Sequence, residues 1–234
     1  MFVLFACPCL SAKVELDFFQ SFMQTSMLLG KLGIPHTIRM QPGIAFIDHA
    51  RNVLCHNFLE EFPDATDLFF LDDDIGWEAE SVVRLLEHKE DIVGGIYPLK
   101  QDEVSFPVSL EADPKTHKLI EKNGLVEAGF LPTGFMRIRR HAIELMAADQ
   151  PTYPHRLADG TTNHIKNIFH TGYYDGERWG EDVDFANRWR AKGGHMWVDP
   201  EITLSHIGRK RWCASFKDAV VIARQKLAEM EQAQ

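Results

Sequence analysis

The chain has 234 residues, 45% hydrophobic and 25% charged, which suits one large α/β domain with a sizeable core and leaves no segment that reads as disordered. Its 25 basic against 34 acidic side chains give a net charge of -9, which repels phosphate backbones at long range and argues against a non-specific nucleic-acid binder. Four cysteines (Cys7, Cys9, Cys55 and Cys213) are too few and scattered for a disulfide framework, so a reduced, cytoplasmic setting is expected.

The opening MFVLFACPCL has no basic flank and is interrupted by Pro8, so Phe2 to Ala6 is expected to be a buried strand rather than a signal peptide. Cys7-Pro8-Cys9 has no second Cys or His pair at zinc-ligand spacing. No other segment approaches the ~20 apolar residues of a membrane span. Val14 to Leu32 reads as an amphipathic helix with Leu16, Phe19, Met23 and Leu28 on its apolar side and Gly33 past its end. A second strand is expected at His36 to Met40, a turn at Pro42-Gly43, and a helix at Asp48 to Glu61.

Leu68 to Leu71 is a strongly apolar third strand that runs into Asp72, Asp73 and Asp74. Trp77 to His88 is expected to be helical and Asp91 to Tyr97 a strand, with Lys100 to Asn123 polar and less regular. Gly129 to Ile138 reads as one strand entering a helix at Arg139, and Pro151 to Arg178 has the Gly, Pro, Thr, Asn and His content of a long functional loop. A helix over Glu181 to Lys192, a short strand at His195 to Val198 and a final helix opened by Ser215 and Asp218 complete the pattern. Short apolar runs alternating with helical periodicity are the signature of a mostly parallel sheet flanked by helices.

Open α/β sheets place their ligands at the carboxyl ends of strands, where Asp72 to Asp74 fall. Three adjacent carboxylates repel one another unless a cation compensates, and hard oxygen donors suit Mg²⁺ or Mn²⁺, which also hold a diphosphate. In an extended stretch Asp72 and Asp74 would point one way and Asp73 the other. The same triplet is also what a solvated, helix-capping turn looks like.

Trp179-Gly180-Glu181-Asp182-Val183-Asp184-Phe185 puts adjacent carboxylates at a helix start, where the dipole favours their ionised, proton-accepting form; favouring the dipole is also a sufficient reason for their presence. His206 follows a strand and precedes Arg209, Lys210, Arg211 and Trp212, residues able to neutralise a diphosphate leaving group or to form a solvated basic turn.

Together these segments resemble the GT-A-fold glycosyltransferases, family 2-like and related bacterial and phage enzymes. FLDDDI looks like their DxD motif, GEDVDFANRWRAKGG like their catalytic Glu-Asp segment and LSHIG like their late metal-binding histidine. LPTGFMRIRR and the Ala50-Arg51-Asn52 helix match further elements, in the family's order along nearly the whole chain. The resemblance implies a single GT-A domain, residues 1–100 binding the nucleotide sugar and 101–234 carrying acceptor binding and catalysis.

It also implies Asp72, Asp74 and His206 as metal ligands and Asp182 as general base, with Glu181 contacting the acceptor or orienting the site. Arg51, Asp72, Asp73, Thr133, Gly134, Lys210 and Arg211 would bind the donor, and Trp179 would offer an apolar face to a sugar ring. Mn²⁺ or Mg²⁺ is the implied cofactor and a UDP-sugar the favoured donor. The acceptor would be a glycan, a lipid-linked sugar, a protein or a modified nucleobase in DNA, the last kept open by Arg137, Arg139 and Arg140 and by Arg209 to Arg211.

Inversion with Asp182 as base is the favoured course, and retention on the same fold is the alternative. Cys7-Pro8-Cys9 departs from the polar turn that follows the first strand in many relatives, which leaves base recognition open. A nucleotidyltransferase would carry a Gly-rich basic loop after the first strand, and a receiver-type phosphoacceptor would carry acidic residues there. This chain has neither. An inactive carbohydrate-binding scaffold is the reading from a different class.

Overall fold

The computed structural model describes residues 1–174 and 176–232. In chain order the elements are β1 (Val3–Cys9), α1 (Leu16–Lys31), β2 (His36–Pro42), α2 (Ile47–His56, continued by a π-helical turn at Asn57–Glu61), β3 (Asp67–Leu71), β4 (Ile75–Trp77), α3 (Ala79–Glu87) and β5 (Ile92–Gly94). Then come β6 (Ser109–Leu110), β7 (Glu121–Lys122), β8 (Leu125–Phe130), β9 (Phe135–Arg139), α4 (Arg140–Ala147), β10 (Thr152–Arg156) and β11 (Thr162–Lys166). The chain closes with β12 (Gly172–Tyr174), β13 (Glu177–Trp179), α5 (Glu181–Ala191), β14 (Met196–Val198), β15 (Thr203–Ile207), β16 (Arg211–Ser215) and α6 (Phe216–Gln232).

Nine strands form one twisted sheet in the order β2-β1-β3-β9-β5-β14-β8-β6, with β7 also on β8. Pairings β1–β2, β1–β3 and β5–β14 are parallel, whereas β9 pairs antiparallel with both β3 and β5, and β8 with β14, β6 and β7. Only β8 and β9 thus run against the other strands, and the sheet is mostly parallel with helices on both faces. Strands β1 and β3 are buried along their whole length, which is why they read as unbroken apolar runs.

Alternation sends Leu4, Ala6, Leu68 and Phe70 to one face, where they meet Leu54 of α2, Ile143 and Met146 of α4, Phe185 and Trp189 of α5, and Val220 of α6. Val3, Phe5, Phe69 and Leu71 face the other way, onto Phe18 and Leu29 of α1 and Val82 and Leu85 of α3.

Several local expectations are corrected. Helix α1 buries Phe18, Ser21, Thr25 and Leu29, and leaves Leu16, Phe19 and Met23 at 65%, 53% and 46% exposure. The reason is hydrogen bonding: the Ser21 hydroxyl accepts from the Trp77 backbone N–H at 2.9 Å, and Thr25 accepts from the Trp77 indole at 2.8 Å. Two polar residues therefore mark the inner face, which hydrophobic periodicity reads as outer. Trp77 belongs to β4, paired antiparallel with β15, and the following helix starts only at Ala79.

The stretch 129–138 is two strands separated by Leu131 to Gly134, because β8 and β9 lie on different neighbours. The segment 151–178 contains two antiparallel hairpins, β10–β11 and β12–β13, rather than an open loop; Asp175 of that segment lies outside the described residues. The end of the first hairpin is fastened to α2 by buried Asn52, which exchanges two 2.7 Å hydrogen bonds with the Phe169 backbone. Among the described residues no helix is long and apolar enough to cross a membrane.

Candidate active site

The acidic triplet follows β3 directly, and Asp73 and Asp74 occupy a turn rather than an extended stretch. The three carboxylates accordingly find separate surroundings. The Asp72 backbone N–H donates to the Gly134 carbonyl at 3.0 Å, tying the turn to the loop before β9. One Asp72 carboxylate oxygen lies 3.4 Å from an Arg51 Nη, and the other lies 3.4 Å from the Tyr97 hydroxyl. A Cβ on Gly134 would stand 2.7 Å from Tyr97 Cε1 and 2.8 Å from Asp72 Cγ, so only glycine permits this approach.

Arg51 sits on the buried face of α2 with 4% of its surface exposed, and its second Nη donates to Glu181 at the start of α5. Burial works against its charge, but Asp72 and then Glu181 outweigh that and hold the guanidinium more firmly protonated. One buried cation therefore joins two carboxylates 109 positions apart in sequence, the one at the tip of β3 and the one opening α5. Tyr97 is buried over the same site, and burial, then Asp72, push its phenol well above the ordinary range.

Asp74 faces the other way. Its carboxylate takes the Lys100 ammonium on one oxygen and lies 3.6 Å from His206 Nε2 on the other. Burial pushes this carboxyl up, but the hydrogen bonds from His206 and Lys100 prevail and keep it below the usual range. His206 Nδ1 lies 2.9 Å from the Pro98 carbonyl, and a carbonyl can only accept, so Nδ1 carries the proton. The other nitrogen, Nε2, is the one aimed at Asp74. The ring also packs on Tyr97 at 4.8 Å between centroids.

The Asp73 backbone carbonyl accepts from the Glu15 N–H at 2.9 Å. Its carboxyl is pushed up to about 6, first by burial and then by Asp74 and Asp72. The Cys7 thiol is raised by burial and then by Asp73, as expected of an inert cysteine rather than a metal ligand.

Helix α5 begins after Gly180, whose carbonyl accepts from Asp184 N–H at 3.0 Å. Glu181 and Asp182 occupy its first turn, with the Asp182 carboxylate accepting from Val183 N–H at 2.8 Å. Asp184 has a different part: it is fully buried and held by Arg188 at 2.7 Å and His170 at 3.2 Å. Trp179, half-buried, ends β13 immediately before this helix. Thr133 is 2% exposed, and its hydroxyl has no hydrogen-bond partner among the described residues.

The basic turn divides. Lys210 pairs with Asp102 and stands 5.4 Å from the Trp212 ring, while Arg211 reaches Asp17 on α1 at 2.8 Å. Arg211 therefore lines a separate polar cleft of about 430 Å³ with Gln20, Gln24 and Glu78. Arg137 is also turned inward, donating to the carbonyls of Leu85, His88 and Glu90.

Asp72, Arg51, Glu181, Asp74 and His206 are thus gathered, through Tyr97, around one place. Arg211 is not brought to it. Of the three expected metal ligands, Asp74 and His206 face one another and Asp72 is directed to Arg51. No group of three His, Cys, Asp or Glu is preassembled for a metal among the described residues. Tyr97 and Lys100 were not singled out from the sequence. Tyr97 closes an apolar run and looks like ordinary core, and Lys100 looks like any surface lysine in a polar stretch.

No protein-family model matches the chain, and no curated protein matches it either. Among solved structures, A197 from STIV is similar with a TM-score of 0.56 and 20% identity, over 93% of this chain and 91% of that one. That likeness shows a shared fold, the mixed α/β Rossmann-like architecture described above.

Two others are more distant and carry no functional argument. One is a glycosyltransferase involved in the glycosylation of the major capsid of PBCV-1 (TM-score 0.37, 10% identity, 62% of this chain and 63% of that one). The other is UDP-glucose pyrophosphorylase complexed with UDP-glucose (TM-score 0.47, 9% identity, 98% and 100%).

Proposed function

We propose that this protein is a metal-dependent glycosyltransferase of the GT-A type. It would move a sugar from a nucleotide diphosphate donor, UDP favoured, to the hydroxyl of a glycan, lipid-linked, protein or modified-nucleobase acceptor. The observation that supports this most is the ion pairing of buried Arg51 with both Asp72 and Glu181, which sets an acidic strand end against an acidic helix start. A donor diphosphate and a proton acceptor need that juxtaposition if one displacement is to join them.

The donor set around Asp74 and His206 fits a hard cation such as Mn²⁺ or Mg²⁺. These ions are commonly held by one or two protein ligands together with substrate phosphates and water. When bound, the cation would offset the charge that builds on the diphosphate as it leaves.

The chain's own residues would do the rest. Asp182, at the positive end of the α5 dipole, takes the acceptor proton while the acceptor oxygen bonds to the anomeric carbon and the bond to the diphosphate breaks, with inversion. Arg51 holds Glu181 in place beside it. Thr133 offers its unpaired hydroxyl, and the bare backbone at Gly134 leaves room for Asp72 to meet the donor. Lys210 would meet the diphosphate from the turn between β15 and β16.

Thermal stability with UDP, GDP, CDP and ADP, each with and without Mn²⁺, tests this reading in the native protein and in Asp74→Ala. A ligand at 100-fold its Kd adds about 2.7 kcal/mol. For a chain this size that corresponds to a melting shift of roughly 5–11 °C. A Mn²⁺-dependent shift with one nucleotide, lost in Asp74→Ala, is expected. No shift with any nucleotide, in folded protein, would favour an inactive scaffold instead.

A further inference from the structure

Asp72, Asp73 and Asp74 carry three carboxylates within one turn, and the fold treats each differently. Asp72 is balanced by Arg51. The Asp73 backbone carbonyl accepts from the Glu15 N–H at 2.9 Å. The side chain in contact with the Asp74 carboxylate is Lys100, with His206 on its other oxygen.

Lys100 is well placed to come and go. Its side chain is 35% exposed, and it stands on the loop between β5 and β6, outside any regular element. The stem crosses the turn that joins β15 to β16: a Cβ built on Gly208 would lie 3.1 Å from Lys100 Cδ. Lys210 rises from that same turn. The Lys100 stem thus lies between the acidic turn and the turn that carries Lys210.

We propose that Lys100 is a tethered counter-ion that occupies Asp74 in the free protein and competes with the divalent cation for it, so that cation binding waits on the donor diphosphate. The inference rests on the metal-dependent reading given above and assigns a positioning role that reading does not contain. A monocation and a dication cannot share one carboxylate without strong repulsion. Arrival of the metal therefore requires the ammonium to leave.

A diphosphate supplies the place to go, since a lysine ammonium binds phosphate as a compact point charge. The ammonium and the cation then share the donor's negative charge instead of opposing each other over Asp74. Metal and nucleotide thereby favour one another, and by linkage each strengthens the other by the same factor.

The test is Mn²⁺ binding, read as loss of the free-ion EPR signal, with the native protein, Lys100→Met and Lys100→Gln, each with and without UDP. Far-UV circular dichroism melts establish that the variants are folded. Without nucleotide, both variants are expected to bind Mn²⁺ about tenfold more tightly than the native protein, within the usual range of coupling between sites. UDP should then improve their Mn²⁺ affinity less than it improves the native protein's.

Asp74→Asn introduced into Lys100→Met should abolish the gain, placing the ion at Asp74. Variants that bind Mn²⁺ no more tightly than a native protein that does bind it would overturn the competition and leave the metal-dependent reading standing. If neither native protein nor variants bind Mn²⁺, with or without UDP, both readings fall.

Discussion

Removing the Arg51 guanidinium gives the sharpest test of how the site is held together. Arg51→Met keeps an unbranched apolar stem in the space α2 buries, but leaves Asp72 and Glu181 without their shared cation. Breaking a buried pair from one side costs about 3–5 kcal/mol, because the stranded charge has lost its water as well as its partner. Side-chain exposures of 25% for Asp72 and 16% for Glu181 let solvent recover part of that, so the lower end applies, about 3 kcal/mol. The melting temperature should then fall by roughly 6–12 °C, measured by calorimetry at pH 7.5 in EDTA.

The sign of the pH dependence follows. Stranded carboxylates are relieved by taking up protons in the folded state, so the native form of the variant binds protons that its unfolded form does not. Its deficit should narrow as the buffer is taken from pH 7.5 toward about 5. Adding Glu181→Gln to Arg51→Met should recover part of the loss, although the same change in the native background should destabilise. A variant melting within about 2 °C of the native protein, or a deficit that ignores both pH and the second change, would refute the counter-ion role.

Two further outcomes are expected. Asp73, pushed up to about 6 from 3.8, favours its neutral form when folded, so its charge weighs against the fold above about pH 6 and that burden is lifted as pH falls through 6 toward 4. Asp73→Asn should therefore melt above the native protein at pH 8 in EDTA, with the gap closing over that window; a gap independent of pH would assign the effect to something other than ionisation. Gly134→Ala puts a methyl where Asp72 and Tyr97 already stand, which should cost about 1–3 kcal/mol by overpacking. The displaced Asp72 should also diminish the nucleotide-dependent melting shift, and unchanged melts with and without UDP would show that this approach is not needed.

The buried strands β1 and β3 and the start of α5 were legible in the chain itself. Strands covered on both faces must be apolar throughout, and a helix start draws acidic residues to its dipole. The two acidic clusters were legible for the same local reason. What misled was any place where a distant partner set the local rule. Ser21 and Thr25 lie inward because Trp77, more than 50 positions away, needs their hydroxyls. Residues 129–138 split into two strands because β8 and β9 join different neighbours in the sheet.

The pairings of charges inside the site belong to this second kind, although the motif resemblance already groups Arg51, Asp72, Asp74, Glu181 and His206. Arg51 meets Glu181 across 130 positions, and Lys100 meets Asp74 from a loop with no periodicity of its own. Tyr97 looks like core until the fold sets its hydroxyl beside Asp72. Periodicity records which face of an element is buried, because burial recurs with every turn or every second residue. A single ion pair between distant segments leaves no such recurrence, so only the tertiary structure decides which charges meet.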